Sequence, residues 1–453
     1  MTERSKAEDQ TASLTPPGTP GAGRDAAKMI LFSALGLFMF FVPITVNGRS
    51  SLPVDHIVTL VKTHIGAAVP WLMLALIVFG TLRPFFSGTW RANTTKTVFA
   101  LLNIVGTIAA LLMITSPPAW LAAPDVGPFL WVTLVQSVGV IVPVGAIFLG
   151  FLIGFGLMEF VGVLARPMMR PVWHTPGRSA VDAVASFVGS YSLGLLVTNR
   201  VYRSGGYTAR EAAIIATGFS TVSATFMVVL ANALDLMAYW LTYFFVSLAV
   251  TFLVTAITVR IPPLSRVPDE YCPGSSPAPE TAVTRHRFAT AWAQARGTLQ
   301  ASPPVMRVVW LNFKDGLLMA SSILPSIMSV GLIGLLLAKH TPLFDWAAWI
   351  FYPVTWLLQL PEPLLAGKAV SLGLVEMFLP ASQVGPESDL VLRFVVGVVA
   401  VSAIIFLSAM VPSILATDIP LGFWMLMLIW FERTILSLII AAPLAALLLA
   451  GHR

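Results

Sequence analysis

Eleven long stretches of this chain carry no charged residue: 29–48, 65–82, 97–124, 126–158, 183–199, 212–234, 236–259, 316–338, 346–361, 394–417 and 419–451, the last interrupted by Glu432 and Arg433. A bilayer core about 30 Å thick is crossed by about 20 apolar residues of helix. Most runs reach that length, while 183–199 and 346–361 are short. Lipid offers a bare backbone no hydrogen bonds, so such a chain must resolve into membrane helices. The expected fold class is an all-α polytopic membrane protein. Only 11% of the 453 residues are charged, which excludes a soluble enzyme and a disordered chain. A single cysteine excludes a disulfide framework, an iron–sulfur cluster and a cysteine zinc site. No GxxxxGK[ST], HExxH or GxSxG pattern occurs, so no enzyme activity and no cofactor are expected. Lys and Arg outnumber Asp and Glu, 27 to 21. In a membrane chain that surplus belongs to cytoplasmic loops facing anionic lipid, not to nucleic acid.

Basic residues orient the spans. Residues 1–27 read as a disordered cytoplasmic tail, with Lys28 before the first span. Arg83, Arg91 and Lys96 mark the inside, the loop 116–128 has no Lys or Arg, and Arg166, Arg170 and Arg178 return the chain inside. The short run 183–199 is then followed at once by Arg200, Arg203 and Arg210. Basic flanks on both sides fit a re-entrant hairpin over 181–199, open to the cytoplasm. Its centre, Ser190-Tyr191-Ser192-Leu193-Gly194, is built of small and hydroxyl residues that unwind a helix where the backbone lines a cavity.

An internal repeat supports that reading. Ser192-Leu193-Gly194-Leu195 recurs as Ser371-Leu372-Gly373-Leu374, and Val222-Ser223-Ala224 as Val401-Ser402-Ala403, both 179 residues on. Three crossings separate the copies, and an odd number inverts the second. Its hairpin, 362–380, is expected to open outward. Inverted repeats with broken helices are a mark of secondary transporters. The expected organisation is a tail (1–27), N-terminal scaffold helices (28–125), a first repeat (126–260), a cytoplasmic linker (261–310) and a second repeat (311–453). Within the linker, Pro262 to Glu280 reads as flexible, and 283–300 as an amphipathic helix on the inner membrane surface.

Phe40-Phe41-Val42-Pro43-Ile44, Asn47-Gly48-Arg49-Ser50, Pro53-Val54-Asp55-His56-Ile57-Val58, Pro176-Gly177-Arg178-Ser179-Ala180, Gly205-Gly206-Tyr207-Thr208 with Arg210-Glu211-Ala212, and Pro361-Glu362-Pro363 with Ala366-Gly367-Lys368 resemble the YjiH family of bacterial inner-membrane proteins. The resemblance spans roughly 28–440. It implies the nucleoside-recognition, or Gate, domain, distantly similar to concentrative nucleoside transporters, and a transporter-like fold with paired hairpins.

Ionisable residues in apolar segments mark function by default. The second hairpin offers Gln359, Glu362, Lys368, Ser371 and Glu376. Glu362 lies between two prolines, where the backbone cannot be regular helix, and is the expected charged ligand. The first hairpin offers Ser190, Tyr191, Ser192 and Asn199. Asp182 reads as a cap, Ser223 and Ser402 as packing contacts, Asp55-His56 as an outer interfacial cap, and Trp346 to Trp356 as an interfacial aromatic helix. Glu432 and Arg433 are expected to form structural ion pairs with other helices. These readings point to a secondary transporter in the bacterial inner membrane, multi-pass, with its N-terminus in the cytoplasm. Its substrate is a small polar metabolite, nucleoside-like or amino-acid- or peptide-like, coupled to H+ or Na+. The alternative is a non-transporting membrane scaffold. Lipid and a small-molecule substrate are the expected partners, a homo-oligomer fits, and no metal site is expected.

Overall fold

The computed structural model describes residues 22–42, 44–46, 49–91, 94–124, 126–188, 191–277, 287–408, 410–415 and 417–449. Most of the expected tail, residues 1–21, lies outside them, as does Ser190 of the first expected hairpin. Residues 22–27 are not tail but the first turns of α1 (Ala22–Phe41). The first apolar run is helical only to Phe41. Its end forms an antiparallel ribbon, β1 (Ile44–Val46) with β2 (Arg49–Ser51). Among the described residues six helical segments are long and apolar enough to cross a membrane: Pro53–Phe86, Lys96–Thr115, Phe129–Phe148, Met237–Thr258, Val305–His340 and Phe423–Leu448. The protein is a helical, multi-pass membrane protein.

The scaffold is α2 (Pro53–Ile65), α3 (Val69–Phe86) and α4 (Thr94–Thr115). Trp71, Phe79, Leu101 and Ile108 project outward from it, as side chains facing acyl chains should. Inward, α3 meets a later span backbone to backbone. A Cβ on Gly80 would collide with the Ser321 carbonyl, so this packing rests on a small residue, as is usual between membrane helices.

The two halves repeat one order of elements. The first runs from a π-helical turn (Phe129–Val135) through α5 (Gln136–Ile153), α6 (Leu157–Trp173), a hairpin of α7 (Ser179–Val188) and α8 (Tyr191–Arg203), a broken helix of α9 (Ala209–Gly218) and α10 (Ala224–Ala233), to α11 (Trp240–Thr258). After α12 (Arg287–Ala301), the second runs through α13 (Val305–Ser326), a π-helical turn (Ile327–Gly331), α14 (Leu332–His340), α15 (Leu343–Leu357), a hairpin of α16 (Pro363–Leu372) and α17 (Leu379–Gln383), a broken helix of α18 (Leu390–Ser402) and α19 (Met410–Leu415), to α20 (Phe423–Leu448). Both breaks follow the last helical residue with the same tight turn, Thr221 N to Phe219 O and Ile405 N to Ala403 O, each 2.7 Å. The last helical residues, Gly218 and Ser402, are 184 apart, not 179. The identical residues of the sequence repeat therefore fall about five positions out of step with the elements. Ser192 opens the second helix of its hairpin, whereas Ser371 closes the first helix of the other.

Contacts between helix ends sort into two sets. At one end Arg260 donates to the carbonyls of Pro171 and Val172, Asn199 pairs with Asp418, and Arg296 with Asp25 at 2.9 Å. At the other, Lys62 donates to Ser137, Trp240 to Phe40 O, and Arg393 pairs with Asp235. The first hairpin leaves and rejoins the first end through Trp173 and Asn199. The second is attached to the other end, where Lys368 pairs with Asp345 of α15 at 2.7 Å.

The expected flexible linker is ordered over 261–277. Ala209 N donates to Glu270 O at 2.7 Å, Arg210 donates to Val267 O, and Leu264 and Val267 are buried. These bonds hold the start of α9, whose capping box is Thr208 with Glu211. The amphipathic helix is α12. It does not lie free on lipid: Ala291, Ala295 and Leu299 are buried, and Ser302 donates to Gly154 O. Gly156, at φ +90°, lets the Ala295 carbonyl approach where a Cβ would collide.

Candidate functional site

Two helix breaks and two hairpin tips converge on one cavity. It is lined by Tyr191 from the first hairpin, Glu376 and Met377 from the second, Val222 and Ser223 from the first break, and Phe406 and Ser408 from the second. Val142 of α5, Met319, Ile323 and Ser326 of α13, Ile327 of the π-turn and Phe226 of α10 complete the wall. The cavity holds about 460 Å³ of empty space counting its open mouth, yet the volume where a water molecule's centre fits is about 30 Å³. It is a narrowed slot, wide enough for water and too tight for a drug-sized ligand.

Local sequence explains each wall. Ser223 N-caps α10, its Oγ accepting from Phe226 N at 3.3 Å. The short hydroxyl-rich stretch Phe219 to Ser223 can thus leave the helix and restart it. Among the described residues the second break shows no such cap. Its chain instead pairs with the hairpin tip, Leu407 N to Leu374 O at 2.7 Å and Ser408 N to Val375 O at 3.0 Å. Ile404 sits at φ +62°, a strained position for a β-branched residue, of order 1–3 kcal/mol. Tyr191 meets Phe406 edge to face at 5.8 Å between centroids, so a side chain of one hairpin touches the other half's break.

Among the described residues Glu376 is the one charged residue of this lining. It is 3% exposed. Its Oε2 accepts from Phe378 N at 2.6 Å, and Leu379 N donates to the Glu376 backbone carbonyl at 3.1 Å. The tip's own backbone thus turns back on the carboxylate. Ser371, one turn earlier, is buried but spends its hydroxyl on Gly367 O at 2.7 Å.

The structure brings Tyr191 and Glu376 together and places the other sequence-derived candidates elsewhere. Glu362 is exposed at the start of α16 with φ +48°, held apart from the cavity by the length of that helix. Gln359 is exposed beside it, also in the left-handed region. Lys368 faces Asp345 and lines a separate outer pocket with Lys339, Ser382 and Gln383. Asn199 exchanges two hydrogen bonds with Asp418 at the far end. Ser190 lies outside the described residues, as does the side chain of Ser192. Asp182 is no simple helix cap: its carboxylate accepts from the buried Tyr207 hydroxyl.

Sequence reasoning missed Ser408 and Phe406, which sit inside an unbroken apolar run. It treated Ser223 as packing, although its repeat with Ser402 was visible and marks both breaks. It also expected ion pairs for Glu432 and Arg433. Arg433 is fully buried and, among the described residues, donates to neutral oxygens: to Ser402 O from Nε and Nη2 at 3.1 and 2.7 Å, and to Thr255 Oγ1 at 3.0 Å. Glu432 keeps one buried carboxylate oxygen without a hydrogen bond.

Residues 135–237 match the family described as nucleoside recognition, or Gate. They hold the first hairpin and the first break. An uncharacterized protein of Alkalihalophilus pseudofirmus, BpOF4_10220, is 31% identical over 437 residues, covering 91% of this chain and 92% of the relative. The chain belongs to the family of that protein. The Gate domain expected from the sequence is therefore present, while the narrower YjiH name rests on the residues quoted above. Solved structures of the transporter CNTnw are similar in trace. One, inward-facing and substrate-bound, has 14% identity and a TM-score of 0.42 over 94% of this chain and 91% of that one. Another, of a variant in an intermediate state, has 13% identity and a TM-score of 0.41 over 93% and 99%.

Proposed function

We propose that this Gate-family chain is a secondary transporter of the bacterial inner membrane, with its N-terminus in the cytoplasm. It moves a small polar metabolite, coupled to H+ or Na+, through a site between two inverted repeats. The observation that carries the reading is the cavity itself. It lies where two hairpins attached to opposite ends of the bundle meet two helix breaks, and its lining holds one buried carboxylate. Three crossings between the hairpins and the two sets of end contacts support the inversion.

The lining favours a nucleoside over an amino acid or peptide. Tyr191, Phe226 and Phe406 offer ring faces and edges to a base. Glu376, Ser223 and Ser408 offer acceptors and hydroxyls to ribose or ring N–H groups. Among the described residues no second charge lines the cavity to meet both ends of a zwitterion. Because the slot is narrow, substrate must part the hairpin tips, as alternating access requires. Thermal-shift and radioligand binding on the purified protein should show saturable nucleoside binding, lost in Glu376→Gln. Binding of amino acids in place of nucleosides would reject the substrate class.

A further inference from the structure

Helix ends carry charge. The C-terminus of a helix behaves as roughly half a negative charge, and where broken helices end inside a membrane such ends commonly hold a mobile cation. This protein has two of them at its breaks, α9 ending at Gly218 and α18 at Ser402. Both lead to one side chain. Arg433 donates twice to the Ser402 carbonyl and once to Thr255 Oγ1. Thr255 is within donating distance of the Gly218 carbonyl at 3.0 Å and of Thr251 O at 2.7 Å. Thr255 also packs so tightly on Gly218 that a Cβ there would collide with its methyl group. One turn along α20 from Arg433, Ser437 meets Ser402 Oγ at 2.7 Å. Arg433, Thr255, Ser402 and Ser437 are all fully buried.

Burying a guanidinium costs several kcal/mol unless charge and hydrogen bonds compensate it. Among the described residues no carboxylate pairs with Arg433. Two helix ends of about half a charge each supply about one unit between them. A planar fork of donors is the one side chain able to address both at once.

We propose that Arg433 is a built-in cation: a positioning residue that ties the two breaks together and occupies the place a mobile cation would take at the ends of α9 and α18. The tie stands on the geometry alone. Its consequence for coupling rests on the transporter reading: sodium is not needed at these helix ends, and any ion coupling runs through another group.

The test uses the full chain in lipid nanodiscs. Thr255→Val removes the hydroxyl between Arg433 and Gly218 while keeping the side chain's shape. Hydrogen exchange should rise about tenfold or more at 219–223, which follows the Gly218 that Thr255 bonds, and also at 403–408, which follows the Ser402 that Arg433 bonds, because Arg433 loses an anchor. A rise confined to 219–223, or none, would overturn the tie. On changing from choline chloride to sodium chloride or guanidinium chloride of equal ionic strength, Arg433→Met should gain more in melting temperature than the parent does. A folded Arg433→Met that gains no more than the parent from either cation would overturn the built-in cation. If Arg433→Met does not fold, the exchange arm still decides the tie on which the built-in cation stands. Neither readout needs a substrate, so failure here is separable from failure of Glu376→Gln.

Discussion

The two breaks share a backbone turn and differ in what closes them. The first is held by short side chains of its own half: Ser223 caps α10, and Thr255 of α11 reaches the Gly218 carbonyl. The second shows no local cap among the described residues. It is held from outside, by backbone pairing with the hairpin tip at Leu374 and Val375 and by Arg433 on Ser402 O. At the cavity the first half is thus neutral, while the second carries the carboxylate of Glu376; the guanidinium of Arg433 sits off the lining, on the Ser402 carbonyl. One backbone trace hosts a hydroxyl-lined wall and an ionic one. The ionic one should answer to charge-changing substitutions.

The largest expected stability loss is Arg433→Met. It strips partners from Ser402 O and Thr255 Oγ1, each worth about 1–3 kcal/mol when left buried and unpaired. Thermal unfolding in detergent measures it, and a loss no larger than that of a surface substitution would erase the contrast between the breaks. Gly218→Ala comes next. Its new Cβ must displace Thr255, with an overpacking cost of about 1–3 kcal/mol and faster exchange at the first break. Ser223→Ala removes one N-cap and should cost about 1 kcal/mol. A larger loss would mean that the first break depends on more than its own side chains.

The smallest effect concerns the end contacts. Hydrogen bonds from Arg296 and then Gln300 hold the Asp25 carboxyl below the usual carboxylate range. A lowered folded-state pKa gives stability that is present above the ordinary aspartate value and lost as pH falls through the folded one. Asp25→Asn should therefore lose a small increment of melting temperature at neutral pH and flatten the acid limb of a pH–melting curve below about pH 4, converging with the parent at the lowest pH.

Sequence alone showed the membrane spans because apolar length carries that information. Near the hairpin expected over 362–380 the helices are Pro363–Leu372 and Leu379–Gln383, and near the one over 181–199 they are Ser179–Val188 and Tyr191–Arg203. The second break was hidden. Ala403 to Leu407 is apolar, without Gly or Pro, inside the run 394–417, and only its contacts with the hairpin tip unwind it. Glu362 drew the site to the wrong end of α16 for a similar reason. Flanking prolines mark an irregular backbone but not which way it faces, and at Glu362 they mark a surface turn. Glu376 has no such flag. Its burial comes from a fold that brings the tip against Phe406 and Tyr191. The linker looked loose because Pro- and Ser-rich composition reports low periodicity, not the hydrogen bonds that α9 supplies from elsewhere.

The central claim is that substrate binds between the hairpin tips against Glu376. Equilibrium nucleoside binding to the parent, Glu376→Gln and Glu362→Gln tests it most directly. A hydrogen bond to a buried carboxylate is worth about 1.5–3 kcal/mol, so Glu376→Gln should weaken binding about tenfold or more, and Glu362→Gln should bind as the parent does. Unchanged binding in Glu376→Gln together with loss in Glu362→Gln would contradict the account and move the site to the outer mouth of the second hairpin.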